Sequence, residues 1–146
     1  MDSGPQPRNG RRGSRIILVV DDDPDILEAL TEILAGEGFE VRAARHGEEA
    51  LAHFSPRPPD LVLLDLMMPV MDGWEFASRM RKNPDWAGVP ILVVSADRNV
   101  GVKAKEIGAI GYLTKPFELS TVLDVVNRCL NSGAKADAGR SAQASA

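Results

Sequence analysis

One cysteine, two histidines and the absence of any apolar run near membrane-spanning length set the first limits on this 146-residue chain. A lone Cys129 excludes an intrachain disulfide and any multi-cysteine metal site, as suits a reducing cytoplasm. His46 and His53 cannot by themselves make a zinc site, and both are expected at the surface. No apolar stretch approaches the ~20 residues that a membrane span needs. The N-terminus lacks the apolar core of a secretory signal, so a cytoplasmic location is expected. The composition, 44% apolar and 26% charged, is that of one globular domain able to bury a real core.

The net charge of −4 is unevenly spread. Residues 1–15 carry four arginines against one aspartate, and residues 134–146 two cations against one acid, which leaves the middle at −8. An acidic middle offers no basic face for nucleic acid. Residues 1–14 are rich in Gly, Pro, Arg and Ser without apolar period, and read as a disordered basic leader. Residues 134–146 read as a disordered tail, which leaves 15–133 as the folded domain. On this reading no output domain is expected within these 146 residues.

Between these ends the pattern is strand then helix, five times. Ile16 to Val20 is a β-branched run that stops at Asp21-Asp22-Asp23-Pro24, where Asp23 caps a helix with Pro24 in its first turn. That helix places Ile26, Leu27, Leu30, Ile33 and Leu34 on one side, and Gly36 and Gly38 end it. Phe39 to Ala44 alternates apolar and charged residues, as an edge strand does. A short helix from Gly47 turns Ala50, Leu51 and Phe54 inward. Leu61 to Leu64 is a central strand bounded by Pro59 and Pro69. The next helix points Trp74, Phe76, Ala77 and Met80 inward and stops at Asn83-Pro84. Pro90 to Ser95 is a fourth strand, followed by a weakly patterned helix from about 99 to 107. Ile110 to Thr114 is a fifth, and the last helix carries Leu119, Val122, Leu123, Val126, Cys129 and Leu130 on its inner side. Strands apolar on both faces and right-handed crossovers predict a parallel sheet with helices on both sides.

In such a sheet, function sits beyond the C-terminal strand ends. There the polar residues gather: Asp21 and Asp22 after strand one, Asp65 after strand three, Ser95 after strand four, Lys115 after strand five. Three crowded carboxylates repel one another, and a hard divalent cation such as Mg²⁺ relieves the repulsion. A carboxylate beside that cation can attack phosphorus and form an aspartyl phosphate. The Lys115 ammonium would hold one phosphoryl oxygen and the Ser95 hydroxyl another. No general base is needed, because the nucleophile is already ionised.

The segments Val19 to Pro24, Leu64 to Pro69 with Met71-Asp72-Gly73, Val94-Ser95-Ala96, and Gly108 to Phe117 resemble the receiver domain of two-component response regulators. The resemblance covers Arg15 to about Ser132, with the motifs in the family's order. It implies a flavodoxin-like, doubly wound α/β fold with strand order 2-1-3-4-5, the order of a chemotaxis receiver. It implies that Asp65 accepts a phosphoryl group from a phosphohistidine of a histidine kinase or histidine phosphotransfer protein. Asp22, Asp65 and the Met67 backbone carbonyl would ligate Mg²⁺, and Asp21 would help through water. Ser95 and Tyr112 match the family's switch pair, and Lys115-Pro116 its lysine followed by a cis bond. The implied output surface is the region 99–130, on a monomer or weak phosphorylation-dependent dimer.

Met67 and Asp97 stand where the family tunes the lifetime of its phosphoryl group; the acid could orient water and the thioether could not. Two other classes fit less well. A phosphate-independent scaffold would be expected to lose an acid or the lysine, and none is lost. An aspartyl phosphohydrolase usually places a second acid two residues after the nucleophile, where this chain has Met67. A dinucleotide fold fails because the first strand–helix turn has no glycine.

Overall fold

A computed structural model describes residues 14–68 and 71–131. The expected leader (apart from Ser14), the tail and Pro69 lie outside the described residues. Five strands alternate with five helices: β1 (Ile16–Val20), α1 (Pro24–Gly36), β2 (Glu40–Ala44), α2 (Gly47–Ala52), β3 (Leu61–Asp65), α3 (Gly73–Lys82), β4 (Ile91–Ser95), α4 (Val100–Ile107), β5 (Gly111–Thr114) and α5 (Leu119–Asn131). All pairings are parallel, in the order β2-β1-β3-β4-β5.

The three central strands, β1, β3 and β4, are buried along their whole length, because each is covered on both faces. Alternation of side chains across the sheet divides the core in two. Leu18, Val20, Val62, Leu64, Ile91 and Val93 face α2, α3 and α4, meeting Phe54, Phe76 and Met80. Ile17, Val19, Leu61, Leu63, Leu92 and Val94 face α1 and α5, meeting Leu30, Leu34, Val122 and Val126. Removing one such leucine or phenylalanine side chain costs about 2–5 kcal/mol, since both the transfer term and the cavity count.

Helix ends follow their caps. The Asp23 carboxylate accepts from the Asp25 N–H at 2.9 Å, and the Asp72 carboxylate from the Glu75 N–H at 2.9 Å. Gly108, at φ 82°, closes α4 in the left-handed region that glycine adopts without strain. At the other end of the sheet, the Asp60 carboxylate accepts from the Ile16 N–H at 2.7 Å and ties the start of β1 to β3.

Several expectations are corrected. His46 and His53 are half-buried rather than at the surface. The His46 Nδ1 accepts from the Glu49 N–H at 3.3 Å and caps α2, while the His53 carbonyl accepts from Arg42 at 2.6 Å. Arg42, on the polar face of the edge strand, is thus drawn inward, donating also to the Arg57 carbonyl at 2.8 Å. On α5 the inner face is rotated: Val125 is buried and Leu119 is exposed. Leu119 is the first residue of the helix.

Cys129 is buried on α5, and burial pushes its thiol up to about 11. A thiol that is both buried and protonated reacts only when the fold opens. Labelling with a thiol reagent at pH 8 is therefore expected to follow global unfolding, and to be at least ~100-fold slower than in denaturant. Labelling as fast as in denaturant would place Cys129 outside the core.

Candidate functional site

The carboxyl ends of β1, β3, β4 and β5 lie side by side at one rim. Register explains the gathering. Val20 pairs with Leu64, Asp65 with Val94, and Ser95 with Thr114. The residue that follows each strand, or closes it, therefore falls at one level. Asp21, Asp22, Asp65, Ser95 and Lys115 all arrive there. The carboxylates of Asp21, Asp22 and Asp65 each offer an oxygen, and these oxygens lie within 4.8 Å of one another.

The three acids are not equivalent. Asp21 is buried, with Oδ1 accepting from the Asp23 N–H at 2.9 Å and Oδ2 paired with the Lys115 Nζ at 2.8 Å. Asp22 is exposed to solvent. Asp65 is only 5% exposed, with Oδ1 accepting from the Met67 N–H at 3.3 Å and Oδ2 3.7 Å from the Lys115 Nζ. Lys115 thus stands closer to Asp21 than to Asp65, a preference that the sequence did not disclose.

Charge follows from this placement. Burial, then the neighbouring Asp21 carboxylate, push the Asp65 carboxyl up to about 6, with a smaller push from Asp22. Lys115 and the Met67 N–H oppose the rise without cancelling it. A carboxylate held in a site that resists its own charge is poised to gain from any added cation. The donor set, two buried acids and one exposed acid at an open rim, fits a hard divalent ion that keeps some of its waters.

Ser95 is fully buried. Its Oγ accepts from the Asp97 N–H at 3.1 Å, and its carbonyl accepts from the Lys115 N–H at 2.9 Å. The Lys115-Pro116 bond is cis. Tyr112 lies on β5, half-buried against α4, where a Cβ on Gly101 would come within 3.3 Å of its Cε1. Met67 turns its N–H toward Asp65 and its side chain, 61% exposed, to solvent.

Two features escaped the sequence. Asp97 is ion-paired with Lys103, and Lys103 also lies 5.7 Å from the centre of the Trp74 ring. Asp97 precedes α4 and Lys103 lies within it, so helical spacing gives no hint of their meeting. Trp86, in the turn after α3, packs its ring 4.8 Å from Phe54.

A doubly wound parallel sheet with an acidic cluster and a lysine at its carboxyl rim defines the class as an α/β domain with a polar, cation-compatible strand-end site. Comparison with known proteins makes the assignment specific: the family model for the response regulator receiver domain matches residues 17–127, and the chain belongs to that family. The DNA-binding response regulator MtrA of Mycolicibacterium smegmatis is 43% identical over 104 residues, 70% of this chain and 44% of that protein. The regulatory protein AtoC of Escherichia coli is 36% identical over 114 residues, 78% of this chain and 25% of that protein. The chain thus spans between a quarter and half of these curated relatives. Among solved structures, chemotaxis response regulator CheY4 of Vibrio cholerae is similar with a TM-score of 0.73 at 33% identity, covering 79% of this chain and 98% of that one. The signal receiver domain of a histidine kinase from Syntrophus aciditrophicus matches equally, at 0.73 and 33%, covering 84% and 94%.

Proposed function

We propose that this receiver accepts a phosphoryl group on the Asp65 carboxylate from a phosphohistidine of a histidine kinase or histidine phosphotransfer protein, in a Mg²⁺-dependent reaction. The observation that carries this reading is the meeting of Asp21, Asp22 and Asp65 with the Lys115 ammonium at one rim. Asp22, Asp65 and the Met67 carbonyl would hold the cation directly. Asp21, whose oxygens are taken by the Asp23 N–H and Lys115, would act through water. Bound there, Mg²⁺ supplies neutralising charge to the carboxylates and to the phosphoryl oxygens.

In the transfer, an Asp65 carboxylate oxygen bonds to phosphorus as the phosphorus–nitrogen bond breaks, and its electron pair returns to the imidazole. Lys115, already 3.7 Å from Asp65, meets the new negative charge. The Ser95 proton is offered to the phosphoryl group once the hydroxyl leaves its buried position, and Tyr112 follows inward as the second switch residue. The folded unit, residues 15–133, acts in the cytoplasm as a signalling switch rather than as an enzyme on external substrates. Its chemistry is confined to its own phosphorylation and dephosphorylation. Its output runs through the region 99–130 to a protein target, as a monomer or weak phosphorylation-dependent dimer. The acidic middle of the chain favours protein over nucleic acid as the direct contact.

Incubation with acetyl phosphate and Mg²⁺, followed by intact-protein mass measurement, is expected to show one added phosphoryl group. The group should be absent with EDTA and in Asp65→Asn. No mass gain with any phosphoryl donor would favour a constitutive binding scaffold instead.

A further inference from the structure

Hydrolysis of a phosphoryl group on Asp65 needs a water, and a carboxylate placed to take that water's proton speeds it. The acids near the rim are unequally available for that task. Asp21 is engaged by Lys115, and Asp22 belongs to the cation site proposed above. Asp23 and Asp72 are engaged as helix caps, and Asp97 stands two residues beyond Ser95 and so within about 7 Å of it along the chain. Its own N–H is already bonded to the Ser95 Oγ.

Both Asp97 oxygens are, however, turned away to other work. Oδ1 accepts from the Asn99 N–H at 2.7 Å, and Oδ2 is paired closely with the Lys103 Nζ. Both partners of that ion pair are partly shielded, at 29% and 23% side-chain exposure, so water screens it less than an open surface pair. Lys103 is itself held from a second side by the face of the Trp74 ring on α3. Three elements thus meet at one ammonium: the β4–α4 loop, α4 and α3.

We propose that Lys103 is a positioning residue that lengthens the life of phosphorylated Asp65, by holding the Asp97 carboxylate against α4 and out of reach of water at the phosphoryl group. The inference rests on the phosphoryl-acceptor reading above. Without Lys103, the carboxylate turns toward the rim and takes the proton of an attacking water. The water oxygen bonds to phosphorus, the bond from phosphorus to the Asp65 oxygen breaks, and its electron pair returns to the carboxylate. Inorganic phosphate leaves, and Asp97 passes the proton to solvent.

The test is the rate at which phosphorylated protein loses mass after acetyl phosphate is removed, with Mg²⁺ kept constant. Positioned bases contribute 10²–10⁴-fold, and a carboxylate present for only part of the time yields less. Lys103→Gln is therefore expected to shorten the lifetime about tenfold. Lys103→Arg keeps the ion pair and is expected to restore a wild-type lifetime. Asp97→Asn in the Lys103→Gln background is expected to abolish the acceleration. A merely structural role for Lys103 would leave the double variant as fast as the single one, which would overturn the proposal. So would an unchanged or longer lifetime in a Lys103→Gln protein with wild-type circular dichroism; Lys103→Met serves should Gln fail to fold. If the wild type takes up no phosphoryl group, both readings fall. If it does and the lifetimes match, this one alone is lost.

Discussion

Asp65→Asn is expected to abolish phosphorylation and, in the metal-free protein, to make the fold more stable at neutral pH. The direction follows from the raised carboxyl, near 6 in the fold against 3.8 as the ordinary value. Burial and the Asp21 carboxylate are the main causes, and Lys115 compensates only in part. Between those two values the native state holds more protons than the unfolded chain, so stability falls as pH rises through the window and is flat above it. A shift of this size is worth about 3 kcal/mol at full ionisation, and asparagine removes the charge that causes it. The thermal midpoint in EDTA at pH 7.5 should rise on the order of 10 °C for the variant. The difference between the two proteins should vanish near pH 4. Saturating Mg²⁺ should raise the wild type more than the variant, because the variant keeps the Asp21 and Asp22 carboxylates but has lost the charge of Asp65. A variant less stable than wild type in EDTA from pH 6 to 8 would mean that Lys115 already satisfies Asp65.

The second large effect is expected at Gly73, which opens α3 directly beneath the exit of β3. A Cβ there would lie 2.8 Å from the Leu66 Cδ2, 2.9 Å from the Leu66 Cα and 3.2 Å from the Asp65 carbonyl. Backbone atoms cannot swing aside. The Gly73 N–H is also bonded to the Leu66 carbonyl at 3.0 Å, so the two segments are tied at the point of the clash. Gly73→Ala should cost about 3 kcal/mol or more, against at most ~1 kcal/mol gained in helix propensity. Gly47 is the informative control. The three atoms nearest its Cβ would all belong to the Met71 side chain, with Sδ at 2.6 Å and Cγ at 2.8 Å. That flexible thioether can turn away, so Gly47→Ala should cost nearer 1 kcal/mol. Urea denaturation of the two variants compares them directly, and equal midpoints would sink the distinction. Gly73→Ala should also slow phosphorylation by acetyl phosphate, because the strain falls on the segment from Asp65 to Met67.

How far the sequence reaches is clear from particular residues. Ile16 to Val20, Leu61 to Leu64 and Ile91 to Val94 are apolar at every position, which only a strand buried on both faces explains. Five strands in all, each followed by a helix, leave a parallel sheet as the economical arrangement. The polar residue at each strand end then marks the rim, so Asp21, Asp22, Asp65, Ser95 and Lys115 could be grouped before any coordinate was known. The cap at Asp23 was equally legible, because its cause is local.

Pairing was not legible. Which carboxylate Lys115 prefers depends on where β5 and β1 sit across β3 and β4, a distance in space unrelated to separation in sequence. The union of Asp97, Lys103 and Trp74 depends likewise on how α4 lies against α3. The half-burial of His46 and His53 was hidden too: the His46 Nδ1 caps α2 by accepting from the Glu49 N–H, and the His53 backbone carbonyl accepts from Arg42. The chain by itself determined the layers, the rim and the kinds of group that stand there, since these follow from periodicity and local termination. Tertiary structure alone decided which of those groups touch, how deeply each is buried, and hence which carboxylate resists its own charge.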